Sequence, residues 1–401
     1  MNARLVPPDI VVIVAGVVAA LHVGKLPPAL PVLRDAMHMS LLESGFLLSL
    51  VQLAGMTVGV LVGLSADGIG PRRSLLAGLG MLAAASALGG FAREPWQLMT
   101  LRGVEGLGFL LAVLPVPGVL RALVPPQRLS LRLGLWGAFM PTGTALALLC
   151  GPWVMLAVGW PGWWWLLAAI TAGMFAWVAR RVPADHAALH LPATGERNAW
   201  TSRLRATLSA PGPWLVALVF AMYSSQWLSI IGFLPSIYAQ AGLSVAAAGA
   251  LTALVAAVNA LGNIGAGRLL HAGVAPARVL ATGLATMVVC AVIAFAWSGT
   301  PLVVRYAAVV LLSGVGGLVP GTLFPLAVRL APDTRTVSTT VGWLQQFSAL
   351  GQFCGPPIVA YVASAAGGWQ WTWVVTGGAS VIGLVFTWQL GRLIRRRPLA
   401  H

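Results

Sequence analysis

Long runs of apolar residues, separated by short breaks rich in glycine, proline and charge, follow one another along the whole chain. Each run approaches the roughly 20 residues that a helix needs to cross the hydrocarbon core of a bilayer. With the breaks taken as boundaries, the pattern predicts twelve membrane-spanning helices. Their expected positions are 10–33, 45–66, 74–92, 96–118, 134–156, 163–181, 213–236, 246–268, 278–297, 301–324, 338–363 and 370–391.

A polar stretch in the middle of the chain divides these spans into two sets of six. It predicts an N-terminal bundle over 1–181, a cytoplasmic linker loop over 182–212 and a C-terminal bundle over 213–401. His186 and His190 in the stretch have a spacing that a metal site could use. Because the surrounding residues are mainly proline, alanine and threonine without further ligands, a solvated linker is favoured. We expect no metal site and no cofactor.

The composition excludes a soluble globular protein. Apolar residues make up 58% of the 401 residues and charged residues only 8%, whereas soluble domains carry about 25% charged residues. The first apolar run is expected to be a retained span rather than a signal peptide, because no small-residue cleavage site follows it.

The net charge of +15 would suggest a nucleic-acid partner in a soluble protein, but here the basic residues mark membrane topology. Nineteen of the 24 lysines and arginines fall in loops on one side of the predicted spans. By the positive-inside rule, both termini and the linker are cytoplasmic. We therefore expect a multi-pass protein of the bacterial cytoplasmic (inner) membrane. Its expected partner is the lipid bilayer and not a nucleic acid.

The two halves of the chain repeat each other. Leu30-Pro31 matches Leu234-Pro235, the segment 40–45 matches 244–249, and Gly151-Pro152 matches Gly355-Pro356, always 204 residues apart. Arg102 matches Arg305 at a separation of 203. Parallel six-helix repeats with a binding site between them are typical of transporters.

The stretch after the second predicted span resembles a known loop signature. It contains Gly63, Asp67, Gly70, Arg72 and Arg73, and this spacing of glycines, an acid and basic residues is similar to the loop signature of the major facilitator superfamily. The resemblance implies that these five residues gate the cytoplasmic side.

Two departures weaken the charge network of this loop. Gly68 and Pro71 stand where the family often has basic residues, and the counterpart in the second half is degraded, with His271 at the position of Asp67.

The fourth predicted span carries a second signature. Arg102-Gly-Val-Glu105-Gly106-Leu-Gly108 is similar to the family pattern, with Glu105 where glutamine is usual. The segments 136–143 and 232–235 resemble the cyanate-porter branch. Across the whole chain, the resemblance implies an all-α membrane protein with twelve transmembrane helices in two pseudo-symmetric six-helix bundles.

Few ionisable residues remain inside the predicted spans, and each costs at least ~2.5–3.5 kcal/mol there, so each is a functional candidate. Lys25, the sole lysine, is expected about 9 Å from the external end at 1.5 Å per residue. His22 and Lys25 share one helical face, so with Arg102 they predict a cationic cavity that binds an anion. The alternatives are that Lys25 reaches the outer interface, and that Arg102 and Glu105 form a structural ion pair.

Two further groups complete the candidate site. Glu105 and His22 are the candidates for proton coupling, and Tyr223, Gln226 and Gln346 are polar candidates for substrate contact. Each of these three could instead hydrogen-bond between helices. Arg305 is expected to anchor the helix at the interface.

These features predict a monomeric secondary active transporter that moves a small anionic solute by alternating access, with protons as the candidate coupling ion. The first span offers Lys25 where an exporter of cations would be expected to place an acid. The alternative is a drug/proton antiporter that exports amphipathic compounds. One glutamate and one histidine are a poor catalytic set, so an enzyme is not expected, and a non-transporting sensor remains a third possibility.

Overall fold

The computed structural model describes residues 6–60, 70–184, 197–297, 299–333 and 336–396. In these ranges the chain is helical, with no strand. The helices are α1 Pro8–Gly24, α2 Leu26–Met37, α3 Leu41–Ser49, α4 53–60, α5 Pro71–Gly89, α6 Pro95–Val113, α7 Val116–Leu123, α8 Pro126–Gly137, α9 Phe139–Arg181, α10 Arg197–Ser209, α11 Pro211–Gln240, α12 Val245–His271, α13 Pro276–Phe295, α14 Leu302–Gly316, α15 Leu318–Leu330, α16 Val337–Ala365 and α17 Thr372–Arg396.

Within the described part of the chain, nine helical stretches are long and apolar enough to cross a membrane. One of them, Leu135–Arg181, supplies two spans, and α5 and α16 supply two more, so the helices form twelve spans and confirm the predicted fold class. Five spans are made of consecutive helix segments: α1 with α2 (span 1), α3 with α4 (span 2), α6 with α7 (span 4), α8 with the first part of α9 (span 5), and α14 with α15 (span 10). Span 3 is α5, span 6 is the rest of α9, and spans 7, 8, 9, 11 and 12 are α11, α12, α13, α16 and α17.

Helix α9 folds back on itself and so supplies two spans. The stretch Leu135–Arg181 has 47 residues, which is about 70 Å of helix and far more than one bilayer crossing needs. Gly159 breaks it with a positive φ of 71°, a conformation that glycine adopts without strain. Gly151 then lies against the Trp163 ring, only twelve positions later, which a straight helix would forbid.

We call the end of the spans where α1 begins and α17 ends the terminal face, and the opposite end the distal face. Spans 1 to 6 pack together through contacts of α1 with α9 and of α5 with α6 and α9. Spans 7 to 12 pack through α11 with α16 and α13 with α14 and α17. The two bundles meet where α3 contacts α16, α9 contacts α12, and α2 contacts α11.

The repeat predicted from the sequence recurs in the local structure. The side chains of Ser40 and Ser244 both cap a helix start, each accepting a hydrogen bond from the backbone N–H three residues later. The linker differs from the expected loop, because helix α10 occupies 197–209 of it, and Trp214 Nε1 donates to the Leu208 carbonyl at 2.8 Å beside its end. The predicted domain boundaries remain a prediction.

Candidate functional site

Span 1 breaks at Lys25, and the break arises from the sequence that follows. Pro27 and Pro28 have no backbone N–H, so the carbonyls four residues before them lose their usual helical donors. The Arg102 guanidinium replaces the donor of one of these carbonyls, since Nη2 donates to the Val23 carbonyl at 3.5 Å, and Nη1 donates to the neighbouring His22 carbonyl at 2.5 Å. Span 4 therefore binds directly to the opened turn of span 1.

Lys25 lies deeper in the membrane span than the sequence predicts. Helix α2 continues for 12 residues beyond it, to Met37, which places Lys25 about 18 Å from the distal end instead of 9 Å. The prolines of α2 do not stop the helix, since two of them occupy its first turn, where no N–H donor is needed. A lysine stem is too short to reach headgroups from this depth, so the interface-anchor alternative is wrong.

The ammonium group of Lys25 is completely buried and fully engaged. Nζ donates to Glu105 Oε1 and, at 3.1 Å, to Ser86 Oγ, and it lies 4.7 Å from the centre of the Trp164 ring. Ser86 can accept because its own hydroxyl donates to the Trp164 carbonyl at 2.9 Å. An aromatic face and a hydroxyl are the partners that a desolvated ammonium uses besides a carboxylate.

Glu105 is the acid on which the positive groups converge. Arg102 Nη1 donates to Oε2 at 2.8 Å, which is the i, i+3 ion pair foreseen as an alternative. The same carboxylate is shared with Lys25, and His22 Nδ1 lies 3.7 Å from its Oε1. We call His22, Lys25, Arg102 and Glu105 the lysine cluster; none of them is more than 3% exposed.

His22 has one nitrogen bound and one turned toward the acid. Nε2 lies 2.8 Å from Thr171 Oγ1, and the Thr171 hydroxyl donates to the Leu167 carbonyl at 2.7 Å. Because that hydroxyl has a single proton, Thr171 accepts and Nε2 carries hydrogen. Nδ1 is then the open position, with no hydrogen-bond partner among the described residues.

The electrostatic balance of the lysine cluster is positive. Counted with His22 neutral, two cations face one carboxylate, inside a bundle where the nearest other groups are hydroxyls, carbonyls and indole rings. Buried charge is tolerated only when it is paired and hydrogen-bonded, and Arg102 Nε lacks a partner among the described residues. One additional negative group would neutralise the net positive charge of the lysine cluster.

The structure places the cluster within one bundle. Its members and their partners come from spans 1, 3, 4 and 6, and Trp163 Nε1 closes the group by donating to the Lys25 carbonyl at 3.2 Å. The predicted cationic cavity is closed to solvent in this structure, since Lys25 has 0% exposure. The reason is that the Lys25 side chain is directed into its own bundle, where it pairs with Glu105 of span 4.

Three predicted substrate contacts lie elsewhere. Tyr223 accepts a hydrogen bond from Asn259 Nδ2 at 2.8 Å, inside the C-terminal bundle. Gln226 accepts from Ser380 Oγ at 2.8 Å. Gln346 links the bundles, because its Nε2 donates to the Met56 carbonyl at 2.8 Å and its Oε1 accepts from the Val60 N–H at 3.2 Å.

The contact of Gln226 repeats the contact of His22 in the other half. Both residues sit 204 positions apart in spans 7 and 1, and each bonds a hydroxyl in the last span of its bundle. In span 7 the position of Lys25 is taken by Ser229. Both halves therefore share a polar contact with a hydroxyl, and the N-terminal half has the charged residue Lys25 in addition.

The gating prediction falls partly outside the described residues, which include neither Gly63 nor Asp67. Gly70 precedes α5 with a φ of 92°. The Arg72 side chain donates to the carbonyls of Val182 at 2.8 Å and Ala179 at 2.7 Å, bracing the start of span 3 against the end of span 6. Arg73 is exposed.

Sequence reasoning missed four partners of the cluster: Ser86, Trp163, Trp164 and Thr171. Ser86 and Thr171 are hydroxyl residues inside apolar spans, and this pattern could have identified them as candidates for buried hydrogen bonds. The Trp163 and Trp164 rings are almost fully buried, so they are part of the bundle interior and not of an aromatic belt at the membrane interface.

Two bundles of six spans, related by an internal repeat and carrying an ionisable cluster inside the membrane-spanning part, define a multi-pass transporter. The sequence profile of the Major Facilitator Superfamily matches residues 12–341. The chain belongs to the major facilitator superfamily. It is therefore a secondary transporter and not an enzyme, as predicted.

Relatives of known function agree with the branch suggested by the motifs. The cyanate transport protein CynX of Escherichia coli (strain K12) is 28% identical over 340 residues, covering 80% of this chain and 79% of the relative. A 2-nitroimidazole transporter of the same organism is 27% identical over 357 residues, covering 86% and 84%. A gallate transporter of Pseudomonas putida is 26% identical over 274 residues, covering 60% of each chain.

Solved structures share the fold. A bacterial homolog to the human lysosomal transporter Spinster, in an inward-facing and unoccupied conformation, superposes with a TM-score of 0.81 at 16% identity, covering 96% of both chains. The transporter FucP in the outward conformation gives 0.67 at 14% identity, covering 96% of this chain and 99% of the other.

Proposed function

We propose that the chain moves a small anionic solute across the membrane together with protons, by alternating access between its two bundles. The observation that carries the proposal is the lysine cluster, in which two buried cations share one carboxylate. Because the cluster has an excess of positive charge, it favours a negatively charged partner. The names of the cyanate and gallate transporters support the same solute class, since both solutes are anions.

Protonation of His22 supplies the coupling. His22 Nδ1 and the Lys25 ammonium face the same oxygen of Glu105. A proton on Nδ1 creates a second ion pair with that oxygen and weakens the hold of Glu105 on Lys25. The positive charge of the cluster rises at the same time, so the proton strengthens anion binding, and by linkage the anion strengthens proton binding equally. This mutual strengthening is the requirement for symport.

Release of Lys25 gives the anion a place to bind. In the described state the ammonium points toward span 4 and is closed off from solvent. The opened turn between α1 and α2 is the point at which span 1 can move, because Pro27 and Pro28 remove two helical donors there and its carbonyls accept hydrogen bonds from Arg102 and Trp163 of other spans. We propose that rocking of the bundles exposes this turn with Lys25, His22 and Arg102 as the anion-binding groups. Tyr223, Gln226 and Gln346 complete the binding surface from the C-terminal bundle.

Topology is part of the proposal. We place the terminal face in the cytoplasm of a bacterial inner membrane, with Gly63, Asp67, Gly70, Arg72 and Arg73 gating that side. The distribution of arginines supports this orientation. Fusion of a periplasm-active phosphatase to the C-terminus should give no activity in cells, and activity there would contradict the orientation.

Uptake into proteoliposomes tests the solute class. With an inward proton gradient, the wild-type protein should accumulate labelled cyanate or gallate. Lys25→Met removes the buried charge, so its initial rate should fall about tenfold or more. Arg93→Gln is the matched control, since Arg93 is an exposed cation remote from the cluster. Equal rates for the two variants would make the anion proposal wrong.

Export of amphipathic compounds is the second candidate. The 2-nitroimidazole transporter and the tetracenomycin C resistance and export protein of Streptomyces glaucescens, which is 27% identical over 184 residues, support it. Energised vesicles that extrude ethidium but ignore cyanate and gallate would favour this function over the anion proposal.

A further inference from the structure

A second polar site lies in the C-terminal bundle, away from the lysine cluster. The distal ends of spans 7, 9 and 10, together with the turn Trp369–Trp371 that precedes span 12, line a cavity of about 250 Å³. Its wall includes Tyr238 from span 7, Phe295 from span 9, and Leu302 and Arg305 from span 10. This volume is below the ~300–1,000 Å³ of pockets for drug-sized ligands, so the cavity suits a small molecule or a single chemical group.

Tyr238 lines this cavity, and its buried hydroxyl is unsatisfied. Its side chain is 3% exposed, and its hydroxyl has no hydrogen-bond partner among the described residues. The ring packs against Tyr306, which fixes its direction, with the ring centres 6.1 Å apart. Since leaving a buried hydroxyl unbonded costs about 1–3 kcal/mol, such a group is a feature that requires an explanation.

Arg305 supplies positive charge to the same cavity. Its Nε donates to the Ala294 carbonyl at 2.7 Å, which holds the guanidinium at the end of span 9. The two terminal nitrogens have no partner in the described part of the chain and remain available as donors. Gln240 also lines the cavity, and its Oε1 already accepts from Trp369 Nε1 at 2.8 Å.

The chemistry of the lining specifies the ligand. Arg305 and Tyr238 offer donors, no acidic residue lines the cavity, and the remaining wall is largely aliphatic and aromatic. We propose that this cavity binds an anionic oxygen group, a carboxylate or a phosphate, attached to a small apolar body. Arg305 and the Tyr238 hydroxyl would contact the anionic oxygens, and Phe295 and Leu302 would contact the apolar part. The site goes beyond the proposed transport function and does not depend on it.

The same chemistry has two sources, a free small carboxylic acid and a phospholipid headgroup, because the cavity lies near the distal ends of the spans. Photolabelling of the purified full-length protein with 4-azidobenzoate, followed by peptide mapping, tests the site. In phosphatidylcholine nanodiscs we expect labelled peptides from 234–241, 294–309 or 369–370, with benzoate competing. Labelling that maps only outside these segments would overturn the proposal.

Variants assign the contacts. Arg305→Gln should lower labelling of these peptides about tenfold or more, and Tyr238→Phe, which removes only the hydroxyl, about two- to tenfold. Arg278→Gln, which changes an exposed arginine at the other end of the bundle, is the control and should leave labelling unchanged. If neither Arg305→Gln nor Tyr238→Phe lowers the labelling of these peptides, the site is refuted. Should Arg305→Gln fold poorly, Tyr238→Phe alone still tests the site.

The lipid composition separates the two sources. If labelling persists when phosphatidylglycerol replaces phosphatidylcholine, the ligand is a free carboxylate. If phosphatidylglycerol abolishes labelling in the wild-type protein, the anionic headgroup occupies the cavity. Lys25→Met should not change labelling here in either lipid, so failure of this site and failure of the transport proposal are distinguishable.

Discussion

Glu105 determines the electrostatic balance of the buried site, because every cation of the lysine cluster faces it. Lys25 and Arg102 are ion-paired to its two oxygens, and His22 approaches one of them. Removing a cation and removing the acid therefore have opposite consequences. Without Lys25, one arginine still faces one carboxylate, whereas without Glu105, two buried cations face each other.

Glu105→Gln should be far more destabilising than Lys25→Met. We expect the acid variant to lose about 3–5 kcal/mol of unfolding free energy, because it leaves uncompensated buried charge. Lys25→Met should stay within about 1 kcal/mol of wild type, since it converts an excess of positive charge into a balanced pair. Unfolding titrations in one detergent measure both values. Equal losses would contradict the assignment of Glu105 as the shared counterion.

His22→Gln should separate solute movement from proton movement. The second half of the chain has glutamine at the equivalent position, where it accepts a hydrogen bond from the Ser380 hydroxyl. At position 22 the amide Nε2 of a glutamine can donate to Thr171 as His22 Nε2 does, so the substitution preserves this contact and removes the titratable nitrogen. We expect solute exchange across the membrane to persist within about threefold, allowing for the modest worth of one hydrogen bond, while the stimulation by an inward proton gradient disappears. A variant that still responds to the gradient would exclude His22 as the coupling group.

At the scale of helices, two glycines let the bundles close at the distal face. A Cβ atom at Gly45 would lie 2.9 Å from the Pro356 carbonyl oxygen and the Pro357 Cα of span 11. One at Gly249 would lie 2.6 Å from Pro152 Cγ and 2.7 Å from the Leu148 carbonyl oxygen of span 5. These glycines are repeat-related, so the same device brings span 2 to span 11 and span 8 to span 5.

Gly249→Ala should loosen the distal closure. Overpacking a tight contact costs about 1–3 kcal/mol, and here the cost falls on the state in which spans 5 and 8 touch. In a cysteine-free background, a cysteine placed at the fully buried Leu30 should react with a maleimide at least about fivefold faster. The control is Gly118→Ala, where an added methyl group meets nothing within 4 Å. Identical rates would show that this contact does not hold the distal face closed.

The number and order of spans could be predicted from the sequence, but the direction of the charged side chains could not. Apolar runs of bilayer length specify helices by composition alone, even where Gly159 joins two of them without a polar loop. The i, i+3 spacing of His22 and Lys25 places both on one face of span 1. Which neighbours that face meets depends on Ser86, Glu105 and Thr171, which lie 61 to 149 residues away in sequence.

At the scale of the whole molecule, each half brings its own buried polar contacts. The lysine cluster joins spans 1, 3, 4 and 6, and the hydrogen bond of Asn259 with Tyr223 joins spans 8 and 7. The described contacts between bundles are fewer and include the pairing of Gln52 Nε2 with Gln352 Oε1 at 3.0 Å. Such an arrangement suits two bodies that rock against each other.

Cutting the chain within 185–196 should therefore leave a functional pair of halves. We expect the two fragments, expressed together, to co-purify and to retain uptake within about threefold of the intact protein, because the contacts of α3 with α16 and of α9 with α12 lie outside this segment. Neither fragment alone should transport. Failure of the fragments to associate would contradict the predicted boundaries of the two bundles.

The most direct test of the account is the proton movement that accompanies the anion. When gallate or cyanate is added to proteoliposomes with no imposed gradient, entry of the anion with a proton should make the outside medium more alkaline, above the level of protein-free liposomes. The His22→Gln protein should take up the anion without this change, and Lys25→Met should show neither. Anion uptake by the wild-type protein with no proton uptake would contradict the claim that one buried cluster binds both.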